Sequence, residues 1–175
     1  MANLPPLLAI QRAVVLESAA NTLTEQQIQT PVSATARMIM RVWRIVFGIT
    51  VGALPSTFPA ADAKEIVSSS IVLSTRQGET TLPAIEQGGT LAAASHIFIQ
   101  GSAPADAGIA MTQNFINLVW EYPGGIGLAD STLSMYIQSV GMAGASGAQI
   151  LIYYTMEVVS TDEFLAIASI LSDVR

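Results

Sequence analysis

The chain contains no cysteine. Disulfide bridges and thiolate-ligated metal sites are therefore excluded, although this says nothing about redox compartment. Charge is scarce as well. Asp, Glu, Lys and Arg make up 11% of the 175 residues, against about 25% in an ordinary soluble domain, while hydrophobic residues reach 51%. A lone monomer of this size needs more ionic groups on its exterior to stay in solution, and obligate interfaces are the surfaces most depleted of charge. The composition therefore points to extensive contact between subunits, with Ser, Thr, Gln and small residues elsewhere on the exterior. Histidine occurs once, as His96, and the seven cations are Arg12, Arg37, Arg41, Arg44, Lys64, Arg76 and Arg175. Only Arg37, Arg41 and Arg44 lie close together. With a net charge of −6 and no basic tail, the pattern lacks the clustered Lys and Arg of a nucleic-acid-binding surface.

Long apolar runs are also missing. A mean hydropathy of +0.51 would admit a membrane protein, but residues 38–51 carry Arg41 and Arg44, and residues 149–159 carry Glu157. Neither stretch offers the roughly 20 apolar residues of a spanning helix, so no transmembrane segment is expected. Residues 1–16 have no basic n-region and Glu17 follows no cleavage pattern, so no signal peptide is expected either.

What is present is a series of β-rich segments between small-residue turns, the layout of an all-β sandwich or barrel. Strands are expected over residues 13–17, 22–32, 37–51, 64–75, 95–100, 114–122, 132–140 and 148–159. A shorter one is expected over 82–85, which Pro83 would confine to an edge. In the longest, Ile39, Trp43, Ile45, Phe47, Ile49 and Val51 share one parity, Arg41 interrupts that face, and Arg44 falls on the other. Ile97 and Ile99 face away from His96 and Phe98. Pro123-Gly124-Gly125 should stop the strand before it, and the Gly-rich stretch 141–147 reads as a hairpin loop between the last two strands.

The two ends of the chain differ from this pattern. Ser160-Thr161-Asp162-Glu163 fits a capping box, and Phe164, Ile167, Ala168 and Leu171 recur at helical spacing. A short amphipathic helix follows, and its apolar stripe must dock on its own sandwich or on a neighbour, since alone it would be marginal in water. Residues 1–20 read as an arm leading into a strand, residues 21–160 as the sandwich, and residues 161–175 as the helical extension.

Few residues carry chemistry. His96 sits mid-strand with no Gly-x-Ser-x-Gly elbow in the chain, so it reads as a residue of the polar face or of an interface. The carboxylates are scattered without calcium-loop or facial-triad spacing, and calcium shared between subunits is left open. The glycine clusters lack the Lys-Ser or Lys-Thr of a phosphate loop and read as turns. No residue is expected to be catalytic, to bind a cofactor or to hold a metal within one chain. Arg37, Arg41 and Arg44 are the best functional candidates, either bridging to carboxylates or facing packaged nucleic acid. Arg41 is placed to stack beside Trp43 or to pair with Glu121. Trp120 and its neighbours Glu121 and Tyr122 read as core and rim packing, with aromatics suited to interface contacts. Phe164 joins the candidates through the helix stripe.

The order of these features resembles the single jelly-roll coat proteins of small icosahedral viruses. Thr22-Leu-Thr-Glu-Gln-Gln-Ile-Gln-Thr-Pro-Val32 and residues 36–51 resemble their opening strands. Leu133-Ser-Met-Tyr-Ile-Gln-Ser139, a small-residue loop and Gln149-Ile-Leu-Ile-Tyr-Tyr-Thr-Met-Glu-Val-Val159 resemble the closing pair, and Thr161-Asp-Glu-Phe-Leu-Ala-Ile167 is similar to a C-terminal extension seen in some of them. The resemblance implies an eight-stranded jelly-roll sandwich of two four-stranded sheets, with a short C-terminal helix. It further implies self-assembly into a closed shell around a genome in a virion, with other capsid proteins as further potential partners. The sequence departs from the many coat proteins that carry a basic N-terminal arm, since residues 1–20 contain only Arg12. The alternative is a trimeric jelly-roll binding module of lectin-like or receptor-binding type, which would share the strand spacing and the apolar contacts.

Overall fold

The computed structural model describes residues 8–55, 64–102 and 109–172. Along them follow β1 (Ala9–Leu16), β2 (Thr24–Gln29), β3 (Met38–Thr50), β4 (Lys64–Ser74), β5 (Thr90–Ser102), β6 (Ile109–Ile116), β7 (Val119–Leu128), β8 (Thr132–Val140), β9 (Gly147–Val158) and α1 (Thr161–Ser172). The strands form two sheets, β1-β9-β3-β7 and β2-β8-β4-β5-β6, and every pairing is antiparallel. The fold is thus all-β with one short C-terminal helix. The strands among the described residues number nine, not eight, and the sheets hold four and five. One cause is local. The strand expected over residues 114–122 breaks at Asn117, whose φ of 55° is a turn that Asn tolerates better than most residues. Its first half joins sheet β2-β8-β4-β5-β6 and its second half joins the other.

The sheets meet across one core. β3 contributes Met40, Val42, Ile45 and Phe47, β9 contributes Ile150 and Ile152, β4 contributes Ile71 and Leu73, and β8 contributes Leu133, Met135 and Ile137. Each such side chain stabilises the fold by about 1.5–3 kcal/mol when fully buried. The inward residues of β3 are even-numbered before Trp43 and odd-numbered after it. A bulge is responsible: Val42 lies opposite Tyr154 of β9 and Arg44 opposite Tyr153, leaving Trp43 as the extra residue. The expected face therefore holds for Ile45, Phe47 and Ile49 and fails for Ile39 and for Trp43, the latter lying outside beside Arg41 and Arg44. β7 is irregular at the same level. Ile126 pairs with Val42 and Glu121 with Arg44, so residues 122–125 bow out between them, with Gly124 at φ 87° and Gly125 at φ 73° supplying the backbone that a side chain would strain. Pro123-Gly124-Gly125 bends the strand instead of ending it.

Both outer faces are partly covered by the chain itself. Ile39, with no exposed surface, lies outside the core beneath α1. A Cβ placed at Gly127 would come within 3.2 Å of Ile167 Cδ1 and 3.4 Å of Ile39 Cδ1, so glycine lets the helix sit close. Ser160 caps α1 as expected, its Oγ accepting the Glu163 N–H at 3.2 Å. On the other sheet, the segment between β4 and β5 folds back over β8. The Tyr136 hydroxyl donates to Arg76 O at 3.0 Å and accepts from Glu79 N at 3.3 Å, and the Gly78 N–H reaches Glu25 Oε2 at 3.1 Å. This is why Ser134 and Tyr136, which point outward, are as buried as their inward neighbours. Residues 82–85 belong to this cover, with Pro83 buried, and form no strand.

The strand expected over residues 13–17 begins at Ala9, and β1 takes up much of the stretch read as an arm. β8 and β9 lie in different sheets, so residues 141–147 are a crossover and not a hairpin loop. That crossover is held by a buried carboxylate. Glu17 accepts hydrogen bonds from Ser139 Oγ at 2.7 Å and Ser146 N at 2.7 Å, and from Ser139 N. Ser146 Oγ in turn contacts Ser69 Oγ at 2.6 Å and accepts from Gly52 N at 3.1 Å. Removing the carboxylate would strand buried N–H groups, each worth about 1–3 kcal/mol when unsatisfied. We expect Glu17→Ala to lower unfolding free energy by about 3 kcal/mol or more, read as a shift of the urea midpoint. The exposed Glu86→Ala should change it by less than about 0.5 kcal/mol.

Candidate functional site

The arginine trio shares one outer face of β3 but not one fate. Arg41 Nε lies 2.8 Å from Glu157 on β9, and Arg44 pairs with Glu121 on β7. Of the two expectations for Arg41, stacking beside Trp43 or pairing with Glu121, the second fails: Arg41 takes Glu157, and the bulge at Trp43 brings Arg44 into register with Glu121. Arg37, at a turn with φ 50°, is exposed, and its Nη1 lies 3.5 Å from Thr161 Oγ1, at the limit of hydrogen bonding. Elsewhere Arg76 pairs with Glu79 at 2.6 Å and Arg12 donates to Gln149 Oε1 at 3.2 Å. Of the trio, Arg37 alone has no carboxylate partner among the described ion pairs.

The aromatic candidates separate into inner and outer roles. Trp43 is half-buried on the outer face, and its Nε1–H donates to Thr155 Oγ1 at 3.1 Å. Trp120 packs against the core and donates across the sandwich to Ala93 O of β5 at 2.8 Å. Tyr122, two residues on, donates to Leu91 O at 2.5 Å. Burial pushes its phenol up to about 12, so it remains a donor throughout the physiological range. Trp120 and Tyr122 thus tie the edge of one sheet to the main chain of the other. Phe164 is half-buried on α1, on the stripe that brings Ile167 to Gly127.

His96 does not lie on a polar face. Its register partners are Ser69 of β4 and Phe115 of β6, and it shares the parity of Ala92, Ala94 and Phe98, all buried. The ring is 1% exposed, lies 4.6 Å from the Phe115 ring centroid, and has no hydrogen-bond partner at either nitrogen. Ser69 is engaged with Ser146, so the two make no nucleophile–base pair. Among the described residues, no group of three or more His, Asp or Glu side chains is placed to hold a metal ion.

What the sequence reading missed is the apolar exterior. Ile10, Val14 and Leu16 of β1 and Val119 of β7 lie on the uncovered outer side of sheet β1-β9-β3-β7. Ile66 of β4, Ile99 of β5 and Val140 of β8 lie on that of the other sheet. On the second sheet they stand among Ser68, Ser70 and Ser95. The signal was available in the parity of β1, where residues 10, 14 and 16 oppose the inward Ala13 and Val15.

Desolvation lowers the pKa of His96 from 6.5 because burial penalises its charged form. The unfolded chain therefore takes up the proton first. The contribution to stability is complete above about pH 6.5 and is lost as pH falls through the lowered folded value. We expect the melting temperature to fall between about pH 7 and pH 5, above the usual carboxylate range. His96→Leu should flatten that slope and be neutral or stabilising at pH 7, as scanning calorimetry can read. No protein-family model matches the chain, and no curated protein sequence matches it.

Proposed function

We propose that this chain is a structural coat subunit with a jelly-roll fold, which assembles with copies of itself into a closed icosahedral shell around a genome. The observation that carries the reading is the strand order. With β6 set aside, β1-β9-β3-β7 faces β2-β8-β4-β5, so the first strand lies beside the last and successive strands mostly alternate between sheets. Two Greek keys wound together give this order, and jelly rolls of that kind build viral capsids and lectin domains. On this reading β6 is an added edge strand, paired with β5, on an eight-stranded frame. The exterior supports assembly over a solitary module. Both outer faces carry exposed Ile, Val or Leu side chains, on a chain with 11% charged residues.

The paired arginines bear on the genome. Arg41 and Arg44 already meet Glu157 and Glu121, so this subunit contributes little free positive charge from the trio beyond Arg37. Packaged nucleic acid is then held mainly by enclosure or by another coat component.

Negative-stain electron microscopy and light scattering of the purified chain test this directly. Closed particles tens of nanometres across are expected. A discrete trimer of a few nanometres would favour the lectin-like or receptor-binding module, and a stable monomer across ordinary salt and pH would overturn both.

A further inference from the structure

The four sheet edges are not equally protected against pairing with another chain. β2 is six residues long and reads Thr-Glu-Gln-Gln-Ile-Gln. β7 carries Pro123 and the wide bulge. β6 presents the exposed polar residues Thr112, Gln113 and Asn114. Natural sheets blunt their edges by such devices: short strands, proline, bulges and charge. β1 has none of them beyond Arg12. It pairs with β9 without interruption from Ala9↔Tyr154 to Leu16↔Gly147 and, among the described residues, has no strand on its other side.

Its outward side chains are also apolar. Ile10, Val14 and Leu16 are 57%, 50% and 69% exposed. Together they offer on the order of a few hundred Å², the size at which an apolar patch on a monomer marks an interaction site. That is a substantial share of the roughly 800 Å² per partner in a stable interface. Arg12, bonded to the neutral Gln149 amide, is the one charged side chain of the strand, so the edge offers a charged partner a single cation among apolar residues. Another copy, carrying the same net negative charge, meets no repulsion along this strand.

We infer that β1 is a docking edge for a second copy of this chain, the two β1 strands pairing antiparallel about a two-fold axis. The inference rests on the self-assembly part of the proposed function. Pairing centred on Ala13 sets Ile10 opposite Leu16 and Arg12 opposite Val14. The apolar residues then meet on one face and the two guanidinium groups are kept apart. The interface is self-complementary, as a two-fold requires, and joins the four-stranded sheets of two molecules into one of eight.

The test uses the full chain. Val14→Lys with Leu16→Lys places charge on outward positions that the core does not use, and circular dichroism with a thermal melt reports folding. Sedimentation should show that the folded double variant has lost the two-fold contact, while Ile66→Lys on the opposite sheet retains it. A folded double variant that associates like the parent overturns the inference. If the variant fails to fold, hydrogen exchange of the parent chain decides. Amides of residues 9–16 should gain protection as concentration is raised through association. Protection already complete in the dilute chain would mean that the chain's own residues cover the edge, and would overturn the inference. Shells that persist in the double variant leave the coat reading standing without the β1 contact. A β1-dependent dimer that never forms shells leaves the contact standing without the coat.

Discussion

A sheet that carries apolar side chains on both of its faces must be covered twice, and this requirement organises the molecule. The first cover is mutual: the two sheets bury Met40, Val42, Ile45, Phe47 and their counterparts against each other. The second is assembled from whatever else the chain provides. α1 takes the Ile39 end of one outer face, with Gly127 thinned to let it approach. The segment between β4 and β5 takes the Tyr136 end of the other. Neither cover is complete, and the remainder includes the apolar flank of β1.

The polar groups answer the same demand. In a chain this poor in charge, each buried polar atom depends on a specific partner, and most of these partners come from a different strand. Glu17 ties the end of β1 to β8 and to the crossover that follows it. Trp120 and Tyr122 reach from β7 to the main chain of β5. Ion pairs do similar work on the outer face, where Arg41 and Arg44 bind strand neighbours instead of presenting free charge. Among the described residues His96 departs furthest from this, an imidazole enclosed without a partner at either nitrogen.

Much of the architecture was legible in the sequence, because period-two alternation and Gly/Pro punctuation are local signals. β3, β4, β8 and β9 fall close to their expected bounds, and Ser160 caps α1 as its spacing implied. Apart from the local break at Asn117, the misreadings share one physical origin: each depended on contacts distant in sequence. The bulge at Trp43 inverts the parity of β3 because of its register with β9, which alternation within β3 cannot reveal. Pro123-Gly124-Gly125 looks like a stop and acts as a bend, since pairing with β3 resumes on its far side. The same blindness hid the partners of Arg41 and Arg44, the enclosure of His96, and the fact that β8 and β9 belong to opposite sheets.

The adjacency of β1 and β9 has a kinetic side. These strands are far apart in sequence, so the sheet β1-β9-β3-β7 lacks its second member until translation has nearly reached α1. Until then β1 and β3 each wait with an open side. Contacts of such wide separation carry a large loop-closure cost and slow the search for the native state. A nascent chain of this topology, with unpaired strands and few charges to keep its neighbours away, is most exposed to mispairing before it leaves the ribosome.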